Sequence, residues 1–174
     1  MGGLAKGLLA SPDGPRIVDR WRGLFEAARI PCVLVGRRPE YSGVPLETLD
    51  DAPGGIGPLG GVLALLLHAR GRARYVITVG CDMPYVTSSL VARLVAAPDA
   101  VAIAPEIGGR WEPMLARYDV AGAFAIADAR MRMGEGGRSM RGLLDALGAQ
   151  VLALAPDDEK LLNDWDEPAD RVSH

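Results

Sequence analysis

The chain has 174 residues and a net charge of −3, from 22 Asp and Glu against 19 Lys and Arg, with 49% hydrophobic and 24% charged residues. That composition excludes disorder, and at roughly 150 residues per domain it leaves room for one core and not two, so a single domain over residues 1–174 is expected. A pI near 5.4 excludes the basic surface that nucleic acid or an anionic membrane requires, and the longest apolar run, Val62 to Leu67, falls far short of the ~20 residues of a membrane span.

The 22 Gly and 13 Pro make up about a fifth of the chain and predict many tight turns. Met1 to Leu9 is Gly-rich, carries Lys6, and lacks the longer apolar run and small-residue cleavage site of a secretory signal. Cys32 and Cys81 have no CxxC spacing and few histidine partners, which argues against a zinc site and points to a reduced, cytoplasmic setting. Ile17, Val18, Trp21, Leu24, Phe25 and Ala28 recur at helical spacing and Pro31 follows, so a helix is expected over about residues 16–29. Cys32 to Val35 reads as a buried strand ended by Gly36. A Gly/Pro-rich stretch from Asp50 to Gly61 leads into an apolar helix to Ala69, and Tyr75 to Val79 is a second buried strand broken by Gly80.

Thr87 or Ser88 can cap a helix running to about Ala96. Ala100 to Ala104 and Met114 to Tyr118 read as strands around a turn at Gly108-Gly109. Helices near Ala121–Met131 and Ser139–Leu147 follow, the second stopped by Gly148 in the place favoured for a left-handed cap, and Gln150 to Leu154 is a last strand before an acidic tail. Apolar strands separated by helices imply an α/β fold with a mainly parallel sheet covered on both faces, and such folds bind ligands at the carboxyl ends of their strands.

Four segments there can carry chemistry. Gly80-Cys81-Asp82-Met83-Pro84 sets one carboxylate at the end of a strand, where Mg²⁺ can be held by a carboxylate and phosphate oxygens, although the same Asp82 can simply cap a turn. The glycines from Asp50 to Gly61 allow close backbone approach ahead of a helix amino terminus, yet the stretch lacks a P-loop's Lys-Ser/Thr and a Gly-x-Gly-x-x-Gly, and alone it also reads as a long turn. Lys6, beside Gly2 and Gly3, is a point cation suited to a triphosphate or a plain surface residue. Asp164-x-Asp166 in the tail could add a metal ligand or be solvated. No Ser-His or Cys-His pair stands out as a nucleophile.

Taken in order, these segments resemble the molybdenum cofactor guanylyltransferases of the MobA type, within the nucleotidyltransferases. Met1-Gly2-Gly3-Leu4-Ala5-Lys6-Gly7-Leu8-Leu9 is similar to the second half of that family's Leu-Ala-Gly-Gly-x-x-x-Arg-Met-Gly-Gly-x-x-Lys-x-Leu-Leu. Asp50 with Pro53-Gly54 and Gly57-Pro58-Leu59-Gly60-Gly61 resembles its Asp-x-x-Pro-Gly and Gly-Pro-Leu-Ala-Gly segment, and Cys81-Asp82-Met83-Pro84-Tyr85 its Pro-Cys-Asp-Met-Pro-Phe. Glu112 to Ala116, Gly134-Glu135 through Leu144, and Asp164 to Asp170 follow its later motifs. The resemblance implies a Rossmann-like three-layer α/β/α nucleotidyltransferase fold. It also implies transfer of GMP from GTP to molybdopterin cofactor with release of pyrophosphate, with other proteins of the cofactor pathway as partners. Asp82 would hold Mg²⁺, with Asp166 or Asp164 as second ligand. Lys6, Gly2 and Gly3 would face the triphosphate, and Asp50, Gly57, Pro58, Leu59 and Gly60 would border the nucleoside.

Two departures from the family pattern bear on this. Gly36-Arg37-Arg38 stands where the guanylyltransferases carry Asn or Ser before Ala-Asn-Arg, and Asp-x-Asp at 164–166 is similar to the cytidylyltransferase relatives, so transfer of CMP or a sugar phosphate stays open. The family's first strand and the first half of its phosphate loop have no counterpart ahead of Met1. Loss of a central strand of about 5–6 residues should leave unpaired edges and apolar surface. A late-assigned start, a trimmed chain, or a natural variant reduced to non-catalytic nucleotide or partner binding would each account for it.

Overall fold

Apolar spacing around Trp21 builds the first helix, α1 (Ile17–Ala27), which buries Ile17, Val18, Trp21 and Phe25. Arg29 ends it with a φ of +57°, the left-handed conformation more often given to glycine at this place. The computed structural model describes residues 5–52, 55–155 and 157–162. Strand β1 (Val33–Val35) follows, and pairs in parallel with β2 (Glu47–Leu49). Helix α2 (Pro58–Ala69) leads to β3 (Tyr75–Thr78), and α3 (Ser88–Ala96) to β4 (Ala102–Ile107). A turn through Gly108 and Gly109, both at positive φ, connects β4 to β5 (Arg110–Trp111). Then come β6 (Ala116–Asp119), α4 (Val120–Arg132), α5 (Met140–Ala146) and β7 (Gln150–Leu152).

The capping residues act as their chemistry dictates. The Thr87 hydroxyl accepts from the Leu90 amide (3.4 Å), Asp119 from Gly122 (2.7 Å) and Ser139 from Gly142 (3.2 Å). Gly148, at φ +58°, closes the turn after α5.

The larger sheet runs β3-β6-β4, with β5 and β7 also pairing with β4. The class is α/β as expected, and in the larger sheet β3, β4 and β7 share one direction, with β6 and the short β5 running against them. β1–β2 and β4–β7 are parallel, whereas β3–β6, β4–β6 and β4–β5 are antiparallel. The physical reason is the short path from β4 through β5 to β6. A parallel return needs a crossover of about a dozen residues or more, and a hairpin does not.

Strand residues alternate between two cores, which makes three layers. Ala102, Ala104 and Tyr118 face α2, α4 and α5, packing with Leu59, Leu66, Ala123, Leu143 and Leu144. Ile103 and Leu152 face α1 and α3, packing with Trp21, Phe25, Leu90 and Leu94. A smaller cluster gathers Ala5, Val18, Leu34, Tyr41 and Val44 around β1. Among the described residues no strand joins β1 to β3, and a cavity of about 1220 Å³ lies between them.

Arg117 on β6 is only 2% exposed. Its guanidinium donates to the carbonyls of Leu94 (2.9 Å), Ala97 (2.8 Å) and Pro98, and lies 4.4 Å from the Tyr75 ring centre. The carboxyl end of α3 is thus satisfied by a charge on the neighbouring strand. Arg117→Met keeps the volume and removes the donors, and should lower unfolding free energy by about 2–4 kcal/mol in urea titration. A loss below about 0.5 kcal/mol would mean that water satisfies those carbonyls equally well.

Candidate active site

After β3 the chain passes through Val79 to Gly80, and the Met83 amide turns back to the Gly80 carbonyl at 3.2 Å. A Cβ on residue 80 would sit 2.5 Å from Asp82 Oδ1, 3.2 Å from Met83 Cγ and 3.3 Å from Met114 Cβ. A side chain here would force the Asp82 carboxylate or its neighbours to shift, so glycine suits the turn that carries Asp82 beyond the end of β3. Beyond it, Arg20 Nη1 donates to the Val86 carbonyl at 2.6 Å, tying the segment to α1.

Lys6 arrives from the other end of the chain. It begins a 3₁₀ turn, Lys6–Leu8, in which the Gly7 amide donates to the buried Tyr41 hydroxyl at 3.1 Å. A Cβ at Gly7 would come within 2.9 Å of that oxygen. The Ile17 amide donates to Leu9 at 2.9 Å and fastens the turn to α1. Lys6 Nζ then lies 3.2 Å from Asp82 Oδ2, with the two side chains 28% and 31% exposed. The ammonium and the carboxylate that the sequence singles out separately are therefore partners, at the end of the sheet where ligands bind in this class of fold.

The Gly-rich segment lies across the cavity from this pair. Gly57 takes φ +84° and Pro58 starts α2, both lining the cavity. The Gly60 amide donates to the Gly57 carbonyl (3.0 Å), and the Ala52 amide to the Gly60 carbonyl (3.2 Å). Leu59 is fully buried, its side chain packed in the α2 core, so it can border a ligand only through its backbone. Asp50 points outward, 70% exposed and 2.7 Å from Arg37 Nε. Its neighbour Asp51 lines the cavity instead, its Oδ1 3.7 Å and 3.6 Å from where a Cβ would stand on Gly36 and Gly61. Sequence reasoning passed over Asp51, and the signal that could have found it is the two-residue alternation continuing out of β2, which puts adjacent carboxylates on opposite sides. Tyr41 and Arg38 also line the cavity and were missed. Gly2, Gly3, Asp164 and Asp166 lie outside the described residues.

Neither cysteine is poised as a nucleophile. Burial, then Asp82 and Cys32, push the Cys81 thiol up to about 11, and burial alone raises Cys32. Among the described residues no group of three or more His, Cys, Asp or Glu could enclose a metal. What the site offers is an ammonium beside a carboxylate, with Lys6 lining a large, mostly apolar cleft.

Residues 1–151 match the family model described as the MobA-like NTP transferase domain. The chain belongs to the MobA-like NTP transferase family. The molybdenum cofactor guanylyltransferase of Pseudomonas paraeruginosa is 31% identical over 168 residues, covering 94% of this chain and 82% of that one. The enzyme of the same name from Pseudomonas fluorescens is 30% identical over the same coverage. Among solved structures, molybdopterin-guanine dinucleotide biosynthesis protein A from Archaeoglobus fulgidus superposes with a TM-score of 0.74 at 21% identity, covering 97% of this chain and 87% of that one. A 2-C-methyl-D-erythritol 4-phosphate cytidylyltransferase from Thermus thermophilus gives 0.64 at 21% identity, covering 95% and 89%. The two structures establish the nucleotidyltransferase fold of this MobA-like chain.

The raised Cys81 thiol makes a pH prediction. Its folded value, about 11, lies above the ordinary 9.0, so the thiolate is suppressed through neutral pH, and the stability this adds is lost as pH rises from about 9 towards 11. Alkylation of Cys81 by iodoacetamide, followed by peptide mass spectrometry, should stay slow at pH 8 and accelerate up to pH 11. A rate already at its plateau by pH 9 would contradict the burial.

Proposed function

We propose that this MobA-like domain transfers the GMP unit of GTP to the terminal phosphate of molybdopterin cofactor. An oxygen of that phosphate attacks the α-phosphorus, the bond to the β-phosphate oxygen breaks, and pyrophosphate leaves with the released charge. The observation that carries the reading is the Lys6–Asp82 contact of 3.2 Å in a chain about 30% identical to enzymes named for this reaction.

Bringing one phosphate onto another puts anion against anion, so charge relief is the main demand on the protein. Lys6 answers it with a mobile ammonium that can follow the triphosphate. Asp82 is a single, partly exposed carboxylate, which fits Mg²⁺, an ion that takes one or two carboxylates and completes its shell with water and phosphate oxygens. When bound there, Mg²⁺ would neutralise phosphate charge as a Lewis acid. Asp166 or Asp164 remains the proposed second ligand. Gly2 and Gly3 would present backbone amides to the phosphates. Gly57, Pro58 and the Gly60 backbone would border the nucleoside, with Asp51 facing the same space and Asp50 supporting the loop through Arg37. No helix among the described residues is long and apolar enough to cross a membrane, and a cytoplasmic location with other cofactor-pathway proteins as partners fits small soluble substrates.

A second base choice is favoured by one feature. Gly36, at φ +94°, replaces a polar residue beside the cleft, and Arg37 is engaged by Asp50, so the base meets few fixed side-chain donors from that loop. Transfer of CMP is the form this alternative takes.

The test is turnover of GTP, Mg²⁺ and molybdopterin cofactor, with the guanine dinucleotide read by mass spectrometry and CTP run in parallel. Asp82→Asn should lower kcat/KM by about 10²-fold or more while leaving the fold intact by circular dichroism. Lys6→Ala should raise the GTP KM and lower kcat together. Absence of product from the unsubstituted chain with either nucleotide, or full activity in Asp82→Asn, would overturn the reading.

A further inference from the structure

Four Lys or Arg side chains line the cleft beside the Lys6–Asp82 pair: Lys6, Arg38, Arg72 and Arg117. Three of them have partners within the protein. Lys6 meets Asp82 at 3.2 Å, Arg72 Nη1 lies 3.4 Å from His68 Nε2, and the buried guanidinium of Arg117 donates to the carbonyls that end α3. Arg38 is exposed and makes no ion pair or side-chain hydrogen bond among the described residues. Its neighbour Arg37 is the one held by Asp50.

The backbone brings Arg38 to the Lys6 end of the cleft. Gly36, at φ +94°, turns the chain out of β1, and Arg38 heads the 3₁₀ turn Pro39–Tyr41, where the Tyr41 amide donates to the Arg38 carbonyl at 3.1 Å. The Tyr41 hydroxyl accepts from the Gly7 amide at 3.1 Å, so the turn that carries Arg38 is bonded to the turn that carries Lys6. Cys81, next to Asp82, packs in the same cluster as Tyr41. Burial pushes the Tyr41 hydroxyl and the Cys81 thiol up, and on both groups the charge of Arg38 acts in the opposite direction, which puts that charge within electrostatic reach of each. Residues 6–7, 38–41 and 81–82 therefore converge.

We propose that Arg38 binds phosphate oxygens of the nucleotide's triphosphate, forming with Lys6 a two-cation clamp on that polyanion. The two cations bring different chemistry. Lys6 is a compact point charge, whereas the planar guanidinium of Arg38 takes two phosphate oxygens at once through parallel N–H···O bonds. No internal ion pair has to break for Arg38 to do so. The inference rests on the nucleotide reading of the site given above, and on neither the base nor the acceptor named there.

Calorimetric titration with inorganic tripolyphosphate and Mg²⁺, which offers the phosphates without base or sugar, separates this inference from the transfer reaction. It would be run on the unsubstituted chain, Arg38→Ala, Arg38→Lys and Arg72→Ala, the last removing an equal charge from the same cleft. Arg38→Ala should weaken Kd by about ten-fold or more, Arg38→Lys should recover part of that loss, and Arg72→Ala should change it by less than about two-fold. Circular dichroism and Tm should stay unchanged in both Arg38 variants. In turnover, Arg38→Ala should raise the KM for GTP and leave that for molybdopterin cofactor unmoved. Tripolyphosphate binding that depends on Arg38 in a chain that transfers nothing would uphold this inference while ending the transfer reading. No detectable binding by the unsubstituted chain, equal affinity in Arg38→Ala, an equal loss in Arg72→Ala, or a KM rise confined to molybdopterin cofactor would overturn it.

Discussion

Four backbone pairings, Tyr75 with Asp119 through Thr78 with Ala116, decide where the chain goes after β3 and therefore where the site stands. Because side chains alternate with a period of two, a one-residue slip would turn every side chain to the other face. In the observed register Val76 and Tyr118 enter the core under α2 and α4, while Ile77 packs on the α1 and α3 side. The same register delivers the guanidinium of Arg117 to the carbonyls that end α3, so a helix is oriented by the strand it covers. The chain then leaves the sheet through Gly80, whose turn leads to Asp82 and its contact with Lys6.

The Lys6–Asp82 pair does not hold the molecule together. Both side chains are about a third exposed, and ion pairs in such settings contribute on the order of 0–1 kcal/mol. Its neighbours hold it in place: Tyr41 under the Gly7 amide, the Gly80 turn, and α1 beneath both loops. A pair that costs little to separate suits a site whose ligand brings both charges with it. In the proposed reaction a magnesium–triphosphate complex would offer an anion to the ammonium and a cation to the carboxylate, so each side chain would exchange one partner for another without either charge being left alone.

Much of this was legible in the sequence because the signals were local. The spacing of Ile17, Trp21 and Phe25, the caps at Thr87 and Ser139, and the left-handed Gly148 each report a few neighbouring residues. Strand β2 was missed because Glu47-Thr48-Leu49 is short and half polar, and becomes a strand only through its pairing with β1. The direction of β6 was not legible for a related reason. An apolar run reads the same in parallel and antiparallel pairing, and only the brevity of the β4–β5–β6 path distinguishes them. At the site, Lys6 and Asp82 stood out by motif, yet nothing in the sequence showed them in contact across 76 positions. Which of the adjacent Asp50 and Asp51 faces the cleft depends on how the chain leaves β2, a matter of backbone twist.

The account rests on Lys6 and Asp82 working as one phosphate-handling unit, and a double-mutant cycle on binding tests that directly. Calorimetric titration of GTP with Mg²⁺ would be run on the unsubstituted chain, Lys6→Ala, Asp82→Asn and the double variant. The account predicts that the double variant binds about as weakly as the worse single one, a coupling of about 1 kcal/mol or more, roughly five-fold in Kd. Losses that simply add, or no loss in either single variant, would contradict it.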